Sequence, residues 1–137
     1  MAEKSGKVLH VELVAADRLV WSGEATMVIA RTTEGDMGVL PGHTPVLSVI
    51  IEGVVDIQTP EGETWVAAVD AGFISVADNR VSILSERAEM SHEIDLEKAR
   101  GDLDRAHEAG ENDDEAAEKA ARAWAEARIR AAESSKS

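Results

Sequence analysis

Proline and glycine stop abruptly near Met90, and alanine takes their place. All three prolines and eight of the ten glycines precede that residue, whereas twelve alanines lie between Ser91 and Ser137. Turn-forming residues at short intervals suit strands, and alanine at helical spacing suits helices. The composition therefore predicts a mixed β-then-α fold. A β-sandwich or flattened barrel occupies 1–90, and an antiparallel helix-turn-helix hairpin occupies 91–137.

The first part alternates. Leu9, Val11 and Leu13 point one way while His10 and Glu12 point the other, as in a half-buried strand. Leu19-Val20-Trp21 and Met27-Val28-Ile29 read as strands separated by Ser22-Gly23-Glu24. Val46 to Ile51 is apolar except for Ser48, which predicts a strand covered on both faces. Val55 and Ile57 alternate with Asp56 and Gln58, and Pro60-Glu61-Gly62-Glu63 turns the chain into Trp65 to Val69. Two further strands follow Gly72 and Asp78-Asn79. About eight to ten short strands with frequent turns describe a two-layer sheet. Aromatics are only 3% of the chain, so its core must be aliphatic.

Beyond Met90 the period lengthens. Leu96, Ala99, Leu103 and Ala106 share one helical face, with Asp95 as N-cap and Gly110 as stop. After the polar turn Glu111 to Asp114, a second helix places Ala117, Ala120, Trp124, Ala127 and Ala131 together. An alanine contributes about one methyl per contact, at roughly 0.8 kcal/mol for each buried carbon. Gly101 costs the first helix about 1 kcal/mol against alanine. Such a hairpin docks weakly, and a weakly docked hairpin can move.

Between Thr33 and Pro45 lie Gly35, Gly38, Pro41, Gly42 and Pro45, interrupted by Val39-Leu40. Glycine and proline together dictate a loop of definite shape. On residue types alone, a functional loop and a pair of plain tight turns are equally good readings.

Composition excludes several classes of function. A net charge of −13 opposes a phosphate backbone, so nucleic acid is not a partner. Without cysteine there are no disulfides and no thiolate metal sites. No apolar run reaches the ~18–20 residues that span a bilayer, and Met1 to Lys7 lacks the apolar core of a signal peptide. The four histidines are scattered, and no Gly-x-x-x-x-Gly-Lys-[Ser/Thr] occurs. No catalytic constellation emerges, and no metal is expected.

Read together, three segments carry a likeness. They are Val11-Glu12-Leu13-Val14 leading to Arg18-Leu19-Val20-Trp21-Ser22-Gly23, then Gly35-Asp36-Met37-Gly38-Val39-Leu40-Pro41-Gly42-His43-Thr44-Pro45, and Gly72-Phe73-Ile74-Ser75-Val76. In this order they resemble the epsilon subunit of bacterial F-type ATP synthases, and the middle segment is the most specific. The resemblance implies a non-catalytic central-stalk subunit of a proton-translocating complex, peripheral on the cytoplasmic face of the bacterial membrane. Its sandwich would bind the gamma subunit and rest on the membrane rotor ring of c subunits. Gly35, Asp36, Gly38, Pro41 and His43 would form the ring-contact loop. His43 is there either a proton-sensitive contact or a hydrogen-bonding residue that fixes the loop.

The hairpin of this family is a regulator. Folded down it permits turnover, and extended along gamma it reaches the alpha and beta subunits of the catalytic head and blocks ATP hydrolysis. Arg122, Arg128 and Arg130 would then meet acidic segments of the head; a solvated basic face explains them equally well. Some members bind ATP through Ile/Leu-Asp-x-x-Arg-Ala with further arginines. The counterparts here are Ile94, Asp95, Lys98 and Ala99, with Arg105 and, from the second helix, Arg128 ahead of Arg122. Lysine at position 98 lacks the planar fork of arginine. No cofactor is required, and a regulatory ATP stays open. Outside this family, the same residues fit a free-standing β-sandwich binding module with a helical dimerisation tail. A small hydrolase built on His43 and Asp36 is a remoter reading.

Overall fold

The computed structural model of the chain describes residues 8–109 and 115–134. Ten strands come first: β1 Leu9–Ala15, β2 Leu19–Ala25, β3 Met27–Thr32, β4 Gly35–Val39, β5 Val46–Ile50, β6 Gly53–Gln58, β7 Thr64–Val69, β8 Gly72–Ala77, β9 Arg80–Ser85 and β10 Ala88–Met90. A single 3-10 turn, Ser91–Glu93, leads into helices α1 Leu96–Ala109 and α2 Glu115–Ser134. The expected order of sheet and then helices holds, with the change falling at Met90. Gly110 and the turn Glu111 to Asp114 lie outside the described residues, as does the segment Met1 to Lys7.

The strands form one curled sheet in the order β10-β7-β6-β3-β5-β8-β9-β1-β2, with β4 paired on β3. All pairs are antiparallel except β1 with β9. Alternation decides what the sheet encloses: Leu9, Val11 and Leu13 of β1 face Val28, Val55, Ile57, Ile74, Val76, Val81 and Ile83 in a wholly aliphatic interior. The two ends of the sheet meet side chain to side chain. Trp21 of β2 and Trp65 of β7 lie 6.4 Å apart between ring centroids, and His92 adds an edge contact to Trp65 at 5.8 Å. Arg18 reaches across the same seam to the Ala88 carbonyl at 3.4 Å and to Glu93 at 3.3 Å.

Three local expectations need correction. Ser22-Gly23-Glu24 does not separate strands, because β2 runs through it in register with β1, and Gly23 makes room for the Trp21 ring folded over it. The Gly-Pro stretch is not one loop. Residues Gly35–Val39 pair with β3 as a hairpin strand, and only Leu40 to Pro45 form a turn. Finally, β5 is not covered twice. Leu47 and Val49 are 70% and 43% exposed, and β7 is the strand buried on both faces.

The reason lies in the helices. Ala67 and Val69 of β7 face the interior, while Val66 and Ala68 face outward and pack under Trp124, Ala127 and Ala131 of α2. Half-buried Val54 and Ile94 flank that second cluster. It is distinct from the main core and made largely of alanine. Leu103 is only half-buried, and Ala120 is exposed. Arg100 of α1 and Glu133 of α2, both on the surface, join the helices at 3.2 Å.

Two outcomes follow for stability. A Cβ at Gly72 would sit 1.8 Å from the Leu84 carbonyl oxygen, a backbone atom that cannot swing aside. Gly72→Ala should lower unfolding free energy by about 3 kcal/mol in a urea titration, with Trp fluorescence as the readout. Removing the chain from Ile94 onward takes away only the second cluster. The truncated protein should still unfold cooperatively, and loss of the cooperative transition would contradict the separateness of the two clusters.

Candidate functional site

Two surfaces carry the residues singled out in the sequence. One is the signature hairpin and turn. Thr32 Oγ1 donates to the Gly35 carbonyl at 2.7 Å and accepts the Glu34 N–H at 3.1 Å, closing the β3–β4 turn. Gly35 has φ 114° and Gly42 φ 88°, values that a side chain would oppose. The second turn is fixed from outside, since Gly42 N–H donates to Asn79 Oδ1 at 2.7 Å. His43 N–H donates to the Leu40 carbonyl at 3.0 Å, and its ring Nδ1 lies 2.7 Å from the Thr44 carbonyl oxygen. Both contacts are local, which favours the loop-fixing role of His43.

Asp36 and Gly38 lie exposed on β4, and Pro41 is half-buried in the turn. Asp36 opens onto a cleft of about 220 Å³ shared with Arg31, Asp56 and, from the end of α2, Arg130 and Ser134. Burial pushes the Asp56 carboxyl above its ordinary value. Among the described residues, no hydrogen bond joins Asp36 to His43, so the pair offers no acid–base couple. Nor do the described residues hold a group of metal-ligating side chains.

The second surface is the junction of hairpin and sandwich. Asp95 caps α1 as expected, its Oδ1 accepting the Lys98 N–H at 3.1 Å. Ile94 packs on the second cluster, and the Lys98 side chain is exposed. Arg105 and Arg128 meet on one carboxylate: Asp102 accepts from both. Arg128, buried, also donates from Nε to Glu89 Oε1 at 2.6 Å. Burial raises the Asp102 carboxyl, but hydrogen bonds and charge from Arg105 and Arg128 outweigh it and hold the group below its ordinary value near 3.8. The stability this gives is therefore present above that value and is lost as pH falls through the lowered one.

Beside this lies a cleft of about 420 Å³ lined by Arg18, Arg87, Glu89, Trp124 and Arg128, among others. Buried Asp70 accepts from Arg87 Nε at 2.9 Å and Nη2 at 2.8 Å, and the Arg87 guanidinium sits 4.6 Å from the Trp124 ring centroid. Sequence reasoning missed Glu89, Asp102, Asp70 and Arg87. A carboxylate in so acidic a chain gives no signal of its own, and nothing local says which would face an arginine some thirty residues away.

The outer face of the sheet away from α2 carries one apolar row. Val49, Phe73 and Leu84 are cross-strand neighbours on β5, β8 and β9, and the register continues through Val14 of β1 to Leu19 of β2. Phe73 and Leu84 are 50% and 51% exposed.

Residues 8–91 match the family model for the β-sandwich domain of the ATP synthase delta/epsilon chain. An ATP synthase epsilon chain of Streptomyces avermitilis is 61% identical over 103 residues, covering 75% of this chain and 83% of that one. That of Streptomyces griseus is 56% identical over 123 residues, covering 90% and 94%. Among solved structures, a chain of the Euglena gracilis mitochondrial ATP synthase superposes with a TM-score of 0.79 at 27% identity, over 92% of this chain and 81% of its own. A match across the whole sandwich, with relatives of this identity reaching into the helices, means that the chain belongs to the delta/epsilon family as an epsilon-type chain of ATP synthase.

Proposed function

We propose that the chain is a non-catalytic rotor subunit of the F-type ATP synthase: gamma grips the sandwich, the signature turn meets the c-subunit ring, and the hairpin regulates ATP hydrolysis. The observation that carries this reading is the apolar row Val49, Phe73, Leu84, Val14 and Leu19, together with Leu47. Monomeric soluble proteins rarely leave such a contiguous row open to water, and a permanent partner is its natural cover. Because β5 leads directly out of the signature turn, whatever grips Leu47 and Val49 also sets the angle at which that turn is presented. A stiff aliphatic core then passes force from one contact to the other.

On this reading the ring contact falls to Asp36, Gly38 and the Leu40 to His43 turn, where Leu40 is exposed and the backbone is pinned by Asn79. No described helix is long and apolar enough to cross a membrane; on this reading, protein contacts hold the subunit at the cytoplasmic face. The dimerisation-tail alternative has less support, because Trp124, Ala127 and Ala131 are already buried against β7. Arg122, Arg128 and Arg130 of α2 are the candidates for contact with the catalytic head when the hairpin extends.

Regulatory ATP would use Ile94, Asp95, Lys98, Arg105 and Arg128. Arg105 and Arg128 are already neutralised by Asp102 and Glu89, so a phosphate must outcompete carboxylates for them. Titration calorimetry of the lone chain with ATP should therefore give only weak binding, weaker still in Lys98→Ala. Binding to gamma decides the main reading. Phe73→Asp and Leu84→Asp should each weaken capture of the purified gamma subunit by about 30-fold, the effect of losing an anchor worth about 2 kcal/mol. Unchanged affinity in both folded variants would remove the apolar row as the gamma surface.

A further inference from the structure

From α2, Arg128 hydrogen-bonds at once to the sandwich and to α1. It sits on the buried face of α2, donates from Nε to Glu89 of β10 at 2.6 Å, and donates from Nη1 to Asp102 of α1 at 3.0 Å. We propose that Arg128 is an electrostatic latch that holds the hairpin against the sandwich, and that its release from Glu89 and Asp102 is what lets the hairpin leave. This rests on the mobile-hairpin reading above and adds which side chain governs the movement.

Three features favour a latch over an ordinary surface ion pair. First, the guanidinium is buried, so its two carboxylates must replace water, and removing either leaves a buried charge half compensated. Second, the apolar contact beside it is largely alanine and offers little alternative grip. Third, Glu89 and Asp102 belong to different bodies and both face Arg128, while Asp102 has Arg105 of its own helix as a second partner. Without Arg128, Glu89 would stand unpaired opposite an Asp102 that Arg105 offsets only in part, in a chain whose net charge is already −13. Loss of the arginine therefore does more than remove an attraction: it turns the clamp into a wedge. Arg87, held by Asp70 over Trp124, is a second cross-contact, but its side chain is half exposed and it meets α2 through a ring face rather than a carboxylate.

The latch also makes three roles of one residue mutually exclusive. A guanidinium clamped by Glu89 and Asp102 cannot at the same time bind a nucleotide phosphate or an acidic segment of the catalytic head. Any such ligand competes with closure, and by reciprocity closure weakens its binding.

The chain has no native cysteine, so spin labels can be placed on the full-length protein at Glu61→Cys in the β6–β7 turn and Glu126→Cys on the exposed face of α2. Pulsed electron resonance then reads the distribution of distances between sandwich and hairpin. In this background Arg128→Gln should raise the open population about tenfold or more, and Arg128→Lys should fall between, having charge without the fork. The triple variant Glu89→Gln, Asp102→Asn, Arg128→Gln should return most of the way to closure, because the wedge is gone. Exposed Arg130→Gln, which removes the same charge, should stay closed.

If Arg128→Gln opens no more than Arg130→Gln while Ala127→Asp, an apolar-contact variant, does open, the latch is wrong and the mobile hairpin stands. If none of these variants opens, the hairpin is fixed and both ideas fall. Near-ultraviolet dichroism of Trp21 and Trp65 reports in each case that the sandwich remains folded.

Discussion

Strand β7 is buried on both faces because α2 lies over it, and among the described residues no element lies over β5, β8 and β9. A curled sheet has an inside that its own strands fill and an outside that something else must cover. Here the hairpin covers the outside at one end of the strand order and leaves the other end bare. Most of the molecule's functional character follows from that inequality. The covered end holds the part proposed to move, and the bare end offers an apolar row for the proposed partner.

The two ends are joined through the sheet rather than through the hairpin. Strand pairing runs from β10 through β3 and β5 to β2, and the seam between its edges is closed by Trp21, Trp65 and Arg18. None of the seam contacts involves α1 or α2. Closure of the barrel is thus independent of the hairpin's position, which is what a subunit needs if it must remain rigid while its tail moves. The signature turn shares that independence: its pins are Thr32, Asn79 and its own backbone.

Much of the fold was legible from period alone. Leu9, Val11 and Leu13 gave their alternation plainly, and all three are fully buried or nearly so. The helical spacing of Trp124, Ala127 and Ala131 identified the docking face of α2, and Asp95 announced its cap. Coverage was not legible. Val46 to Ile50 and Trp65 to Val69 are both apolar runs, and period cannot tell a strand roofed by a helix from one that awaits a partner. Gly35 to Val39 reads as loop because two glycines mask a strand whose one fully buried residue is Val39. The junction was half legible: Arg105 and Arg128 drew notice as arginines, whereas Glu89 and Asp102 were lost among twenty-seven acidic residues.

The energetics of the junction decide what kind of device the hairpin can be. Alanine methyls at roughly 0.8 kcal/mol apiece, with the buried Trp124 indole and Val66, amount to several kcal/mol before any ordering cost is subtracted. A contact of that size leaves closed and open forms within reach of one another, and a ligand that prefers one form by a few kcal/mol can then reverse the balance. A bulky aliphatic face on α2 would have fixed the hairpin permanently. Alanine together with a polar clamp does otherwise, because an arginine that leaves two carboxylates for water recovers much of its hydration, whereas buried leucine recovers nothing. The alanine-rich composition of the C-terminal part therefore suits the reversible docking proposed above as well as it suits a helix.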